Sequence, residues 1–345
     1  MIPKNATNYS CPECKIDLIE VTSKMTEFRI ESGSYSCVSC NHSYLIKNSI
    51  PRFANQIESI KAKTAKSFGF KWKRFNKIDK SYKLNFLDEL APLDYQKFFK
   101  NKLVLDAGTG MGIPACCMGE WGAEKVYGAD ISSEIEVAYE NTKHLSNVSI
   151  AQADIYKLPF KYNHFDVVVC VAVLQHLPDP KMAYRELLKY VKPGGDLIIW
   201  VYGREGNAFV HYFVEPFRKY IGTKIPLKIL LGISCFLGGI FQIVSLIIYK
   251  PLEKLGLRFL PMHFYIFYRS QFGLKMNIQM VFDQLLAPLS YLFTRKEVED
   301  LVVNPNIEKS FIRHHNKNSW TVFATKKFDY VKDTKTFLNE HQASV

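Results

Sequence analysis

The sequence predicts an α/β fold: a doubly wound, mostly parallel sheet with one antiparallel strand, accompanied by a small N-terminal cysteine module and a helical apolar cap. Three observations lead there. Apolar strand-like runs alternate with helical stretches between residues 104 and 202, two C-x-x-C pairs lie near the N-terminus, and residues 229–249 carry no charge. Alternating strands and helices build a parallel sheet, because the chain must cross a sheet face before it can pair again in the same direction. With 345 residues the chain exceeds one ordinary domain, so modules beside the sheet are expected.

The first strand and its turn are VLDAGTGMG at 104–112. An apolar run that ends in glycines is how a buried parallel strand hands its backbone to a helix over a bound nucleotide. Gly108, Gly110 and Gly112, with Thr109 among them, let the main chain pass close under a ligand. The spacing is G-x-G-x-G, with Ile113 where a dinucleotide fingerprint places its last glycine, which disfavours pyrophosphate. Asp106 inside the turn would repel a phosphate and attract a cation such as a sulfonium. Asp130, at the end of the next apolar run in VYGADIS, is placed to accept two hydrogen bonds from a ribose diol.

At these residues the segment 100–202 resembles the class I methyltransferases that use S-adenosylmethionine, in their small-molecule branch (methyltransferase domain 11-like). The resemblance implies a Rossmann-like sheet, with Asp106 and the glycines near the methionine portion of the cofactor and Asp130, followed by Ile131, at the ribose. AQADIYKLPF at 151–160 is similar to the segment whose Asp154 faces the adenine amino group, with Ile155 against the ring. FDVVVCVAVLQHL at 165–177 resembles the fourth strand and the loop after it, which implies cofactor contacts for Val171 and Gln175. VKPGGDLIIW at 191–200 is similar to the turn into the fifth strand. His176 either shapes the cofactor pocket or, as a neutral imidazole, takes a proton from an acceptor hydroxyl. Read alone, Asp154 could be a helix cap or turn residue, and Asp166 opens a strand.

The surrounding elements agree. Ser133 and Glu136 have the spacing of a capping box that starts the helix IEVAYENTKHL, and Thr294 and Glu297 repeat it at TRKEVEDLV. KMAYRELLKYV at 181–191 is amphipathic, and Lys192-Pro193-Gly194-Gly195 stops it before LIIWV. After the turn at 304–306, IEKSFIRHH and SWTVFATKK form a terminal hairpin that supplies the antiparallel strand.

At the N-terminus, Cys11, Cys14, Cys37 and Cys40 form two knuckles separated by the hairpin-like EFRIESGSYS. Two such pairs can present four thiolates tetrahedrally to zinc. The alternative, a redox pair or disulfides, is one that a cytosolic chain lacking a signal peptide would not normally keep. A closed four-sulfur site would fold a ribbon too small for its own core and take no part in the chemistry. Residues 9–53 resemble the zinc-ribbon module fused to many bacterial methyltransferases. Cys116, Cys117, Cys170 and Cys235 lack such spacing and read as buried small hydrophobes.

Between ribbon and sheet, KTAKSFGFKWKRFNKIDKSY at 63–82 interleaves basic residues with Phe68, Phe70, Trp72 and Phe75. Such a stretch can bind RNA by phosphate contact and stacking, or cover the cofactor. Resemblance to fused enzymes implies a helix closing over S-adenosylmethionine, with Trp72 either in the pocket or simply packed. The net charge of +12 keeps nucleic acid open, but Lys and Arg are scattered rather than massed, and an acidic lipid surface would be served as well.

The insert 204–293 says most about the acceptor. Its run ILLGISCFLGGIFQIVSLIIY is long enough to cross a bilayer. A single crossing would strand the terminal hairpin on the wrong side of its own sheet, so an apolar cap over the site or in the bilayer interface is favoured over a spanning hairpin. Such a ceiling over the strand ends favours an apolar acceptor, with Tyr202, Arg204, Glu205, His211, Tyr212 and Arg218 as the polar groups available there. Of these, Tyr202 and His211 join His176 as candidate catalytic residues. The expected organisation is a ribbon at 1–54, a helical linker or lid at 55–100, a cofactor core at 101–203, the cap at 204–293, and a closing helix and hairpin at 294–345. The expected function is methyl transfer to a hydrophobic small-molecule or lipid-linked acceptor, in a cytoplasmic protein with peripheral membrane contact through 229–249. An RNA base methyltransferase and a non-catalytic cofactor-binding scaffold are the rivals; against the first, CVAVLQHL lacks the N-P-P-Y type of loop and the insert is oilier than an RNA groove.

Overall fold

Two sheets organise the chain. The structure, a computed structural model, describes residues 6–25, 30–54 and 59–328. Strands β1 (Ala6–Ser10), β2 (Asp17–Met25), β3 (Ile30–Ser36), β4 (Ser43–Lys47) and β5 (Ile50–Pro51) form an antiparallel meander in chain order. The first knuckle turns β1 into β2 and the second turns β3 into β4. The tip of the hairpin in EFRIESGSYS, at 26–29, lies outside the described residues, as do 329–345 of the expected C-terminal segment. Helices α1 (Ser59–Arg74), α2 (Lys80–Leu90) and α3 (Tyr95–Phe99) then lead to the second sheet.

That sheet is built from β6 (Leu103–Ala107), α4 (Ile113–Glu120), β7 (Lys125–Asp130), α5 (Glu136–Thr142), β8 (Val148–Gln152), β9 (Phe165–Val171), α6 (Pro180–Tyr190) and β10 (Val191–Tyr202). After the cap, with α7 (Glu215–Tyr220), α8 (Leu227–Val244), α9 (Lys250–Lys254), α10 (His263–Arg269) and α11 (Leu274–Leu286), the chain finishes through α12 (Arg295–Val302), β11 (Ile307–His315) and β12 (Ser319–Lys326). The strand order is β11-β12-β10-β9-β6-β7-β8. Pairings from β10 through β8 are parallel, and β12 runs antiparallel to both of its neighbours, so one strand is reversed, as expected. Val104, Leu105, Val167, Val168 and Ile198 are fully buried. Helices on both faces account for these near-continuous apolar runs.

The chain moves outward from β6 to β7 and β8, then returns to β9 on the other side of β6. This reversal opens a crevice over the carboxyl ends of β6 and β9, the place where such sheets take ligands. The ribbon covers the opposite problem, the open edge at β8. Phe53 N donates to the Gln152 carbonyl at 2.8 Å and Ser10 N to the Pro159 carbonyl at 2.9 Å. Tyr9 packs 5.7 Å from Tyr127 and 5.5 Å from Phe160, ring to ring, so sheet residues complete the ribbon's small core.

Local expectations fare unevenly. Thr294 and Glu297 form their capping box at α12, and Asp166 does open β9, accepting from Leu103 N at 2.8 Å and from Lys192 Nζ at 2.6 Å. The Ser133–Glu136 box does not form. Helix α5 begins only at Glu136, because Asp130 and Ser132 have already satisfied the turn by accepting from Ser132 N and Glu134 N, and Arg52 of the ribbon takes the Glu136 carboxylate. Cys116, Cys117 and Cys170 are buried as expected, whereas Cys235 is exposed, on a shallow surface pocket that it lines with Leu231, Leu274 and Ile278.

The cap leaves and rejoins the sheet at one corner, where Gly203 bridges Phe293 and Arg204 N donates to the Phe293 carbonyl at 2.9 Å. Its apolar run forms a continuous helix from Leu227 to Lys254, 28 residues long. The following run 255–268 contributes only the short α10. Helix α8 packs against α11 through Gly238, where a Cβ would stand 2.8 Å from the Ile278 Cα. Gly238→Leu is therefore expected to lower the unfolding free energy by about 1–3 kcal/mol through overpacking. At Gly239 an added Cβ meets nothing within 4 Å, so Gly239→Ala is expected to raise it by about 0.5–1 kcal/mol through helix propensity; urea denaturation of the pair checks both signs.

Candidate active site

The crevice deepens into a cavity of about 1300 Å³ that runs from the glycine loop to the cap. Its floor is the turn between β6 and α4. Gly108 and Gly110 have φ of +87° and +55°, and both positions are also crowded: a Cβ on Gly108 would meet Val173 at 2.4 Å, and one on Gly110 would meet the Trp72 indole at 2.8 Å. Glycine is needed here both for the left-handed backbone and for the close approach. Asp106 anchors the turn from below, accepting from Thr109 Oγ1 at 2.6 Å and Ala115 N at 3.1 Å. Burial pushes its carboxyl up to about 7.

Asp130 reaches the cavity. Its Oδ2 accepts from Gly110 N at 3.0 Å and its Oδ1 from Ser132 N at 2.8 Å, which leaves lone pairs on both oxygens for a diol. Thr109, Ile131, Val171 and Trp72 complete this end. Trp72, on α1, lies over the loop with the Lys71 ammonium 3.6 Å from its ring centroid. Ala172, just beyond β9, adopts φ of +60°, a strained conformation for a residue with a side chain and one that tends to mark ligand-facing loops.

Several expected residues sit elsewhere. Asp106, Gly112, Asp154, Ile155, Gln175 and His211 lie outside the cavity lining. Asp154 caps the turn at Ile155, accepting from Tyr156 N at 3.0 Å, and pairs with Lys61 Nζ at 2.9 Å. Ile155 is packed into the core and Gln175 is fully buried. His211 is engaged at its two nitrogens by Glu215 and Arg204 on the outer side of the cap, at 3.0 and 3.2 Å. Arg218 is buried, donating to the carbonyls of Gln284 and Ser290 at 3.1 and 3.3 Å. Glu205 accepts from Arg295 N, and Tyr212 is exposed.

His176 and Tyr202 do line the cavity, with ring centroids 5.8 Å apart. The His176 Nδ1 donates to the Leu289 carbonyl at 2.8 Å, which places the imidazole lone pair on Nε2. Burial holds this histidine down at about 3, so it is neutral across the physiological range.

Two features of the wall carry no sequence motif. Lys71 and Asp283 form a buried ion pair that ties α1 to α11, and both face the cavity. Glu89, on α2, is a buried carboxyl in the lining; it accepts from Asn85 Nδ2 at 2.6 Å, and burial raises it to about 8. Its only sequence signal is an acidic residue at helical spacing from the apolar Tyr82 and Phe86.

Comparison with known proteins bears on this geometry. Residues 105–199 match the family model described as a methyltransferase domain. Residues 105–199 are thus similar to a methyltransferase domain. Over 139 residues it is 30% identical to the ubiquinone biosynthesis O-methyltransferase of Coxiella burnetii, covering 40% of this chain and 58% of that enzyme. It is likewise 30% identical over 138 residues to the demethylmenaquinone methyltransferase of Staphylococcus aureus, covering 36% and 56%. The chain thus spans little more than half the length of these curated relatives. Among solved structures it is similar to a SAM dependent methyltransferase from Aquifex aeolicus, at 18% identity and a TM-score of 0.42, over 75% of this chain and 98% of that one. The ribbon and the cap lie outside the matched domain.

The buried titratable groups set a pH profile for stability. Between pH about 3 and 6.5 the unfolded chain binds more protons at His176 than the folded one, so His176 makes stability rise with pH; between about 4.5 and 8 the folded chain holds the extra proton at Glu89, so Glu89 makes stability fall. Denaturant titrations across pH are expected to show the acid-side slope reduced in His176→Phe and the slope between 4.5 and 8 reduced in Glu89→Gln.

Proposed function

We propose that this protein transfers the methyl group of S-adenosylmethionine to a hydroxyl of a hydrophobic, quinone-type or lipid-linked acceptor. One observation carries the reading: the glycine loop with Asp130 and the apolar interior of the cap belong to a single cavity. Its 1300 Å³ exceeds the roughly 300–1,000 Å³ of a pocket for one drug-sized ligand, which leaves room for donor and acceptor together. Two of the curated relatives are named for quinone methylation, in agreement with that apolar interior.

The donor set fits the cofactor. Asp130 would hold the ribose diol, Ile131 and Trp72 would flank the nucleoside, and the carbonyl-rich glycine turn would receive the cationic end. Bound S-adenosylmethionine supplies an electrophilic methyl on a sulfonium. The protein's share is to align the acceptor oxygen, exclude water and take up the hydroxyl proton. Glu89 suits the last task, since burial brings a carboxyl close to neutral pH, where a general base is most effective. His176, a much weaker base, serves as a fixed hydrogen-bond acceptor at Nε2, and Tyr202 closes the wall beside it.

The four cysteines fit zinc. Cys11 and Cys40 Sγ are 3.5 Å apart, Cys14 and Cys37 3.3 Å, and Cys14 and Cys40 3.7 Å, near the ~3.8 Å edge of a tetrahedron with Zn–S bonds of about 2.3 Å. Tyr44 Oη and His42 Nδ1 stand within 3.4 and 3.2 Å of Cys11 and Cys40 Sγ, as outer partners of thiolate ligands do. The metal would hold the ribbon on the sheet edge and stay out of the methyl transfer.

Incubation with radiolabelled S-adenosylmethionine and either total lipid or total RNA is expected to label the lipid fraction; label in RNA alone, or none in either, contradicts the reading. Asp130→Ala is expected to weaken S-adenosylmethionine at least tenfold by calorimetry, whereas Glu89→Gln is expected to leave that affinity within about twofold and lower kcat by about 10²-fold or more. Elemental analysis is expected to find one zinc per chain, lost in Cys37→Ser together with thermal stability.

A further inference from the structure

The cavity opens through an exposed apolar surface. Phe209, Phe213, Leu237 and Ile240 line the cavity and are also 57, 66, 41 and 45% exposed. They form the rim of its mouth. Around α8 the residues sort into three stripes. Leu230, Ser234 and Gly238 are buried, Gly238 directly against α11; Ile233, Leu237 and Val244 face the cavity; Phe236, Ile243 and Ile247 stand outside, 70, 58 and 70% exposed. Only 17% of the helix's most apolar window is buried within the protein.

Exposed lysines bracket the helix at both ends. Lys219, Lys224 and Lys228 are exposed before and at the start of α8, Lys250 is exposed at its end, and no Asp or Glu occurs from 216 to 252. Two copies of such a face would bring lysines against lysines, which argues against self-association. An anionic bilayer matches both parts, with acyl chains for the apolar stripe and acidic headgroups for the lysines. The helix cannot cross the bilayer alone, because both ends of the cap return to the Gly203–Phe293 corner.

We propose that α8 and the aromatic segment 209–213 lie in the interface of an anionic membrane with the cavity mouth turned into the acyl layer, so that the acceptor enters sideways from the bilayer without crossing water. This rests on the acceptor class proposed above and adds the surface that delivers it. The bracketing lysines contribute about fivefold in membrane affinity per residue at low salt.

Cosedimentation of the full-length protein with vesicles of equal phosphatidylglycerol and phosphatidylcholine, against phosphatidylcholine alone, tests this directly. The expected result is binding at least tenfold tighter to the anionic vesicles, weakened by salt and reversed by alkaline carbonate. Lys224→Glu with Lys228→Glu is expected to erase the anionic preference, and Phe236→Asp with Ile247→Asp to abolish binding, each with S-adenosylmethionine affinity unchanged as proof of folding. No vesicle binding, equal binding to both compositions, resistance to alkaline extraction, or a dimer that the Phe236 and Ile247 changes dissolve would each overturn the proposal. Because vesicle binding is read without turnover, docking in the absence of lipid labelling would sink the methyl-transfer reading while leaving the docking intact.

Discussion

The contact on which the rest depends is the seating of Trp72 on bare backbone at Gly110. A side chain at either Gly108 or Gly110 would collide with Val173 or the indole itself. With hydrogens there instead, helix α1 can lie directly over the end of β6, and three parts of the molecule meet at one point. The sheet contributes the turn and Asp130, the linker contributes Trp72 and Lys71, and the cap is drawn in through the Lys71–Asp283 pair. The cavity exists because these layers are held at contact distance on one side and left open on the other.

Electrostatics follow from that closure. Asp106 and Glu89 are pushed up and His176 down by the same cause, removal of water. The consequences differ by position. Asp106 is spent on Thr109 and Ala115 and serves the turn, whereas Glu89 faces the cavity and, among the described residues, has one side-chain hydrogen-bond partner, Asn85, drawn from its own helix. A carboxyl in that setting combines exposure to a ligand with a proton affinity near neutrality, the pairing expected of an acid–base group.

Much of this was legible in the sequence wherever the signal is local. Strand runs such as FDVVVCV announce burial on both faces, G-x-G-x-G announces a ligand-hugging turn, and two C-x-x-C pairs announce a four-sulfur cluster, because each follows from neighbours within a few positions. What stayed hidden depends on distant partners. Nothing near Lys71 foretells Asp283, 212 residues away, and Glu89 looks like one more surface carboxylate until α2 is seen to line the cavity. The Ser133–Glu136 box failed for a related reason: the pattern was present, but Asp130 and the ribbon's Arg52 competed for the same groups. Asp154 went the other way, since its plain cap geometry, with Lys61 added, is what the structure shows.

The account stands or falls on donor and acceptor sharing one chamber. A crystal structure with S-adenosylhomocysteine bound measures this most directly. The expected result is a ribose diol on the Asp130 carboxylate, the nucleoside beside Trp72 and the thioether sulfur directed toward Tyr202 and Glu89 under the cap. A nucleoside bound away from Asp130, or a sulfur that faces solvent with the apolar chamber walled off behind it, would contradict the account.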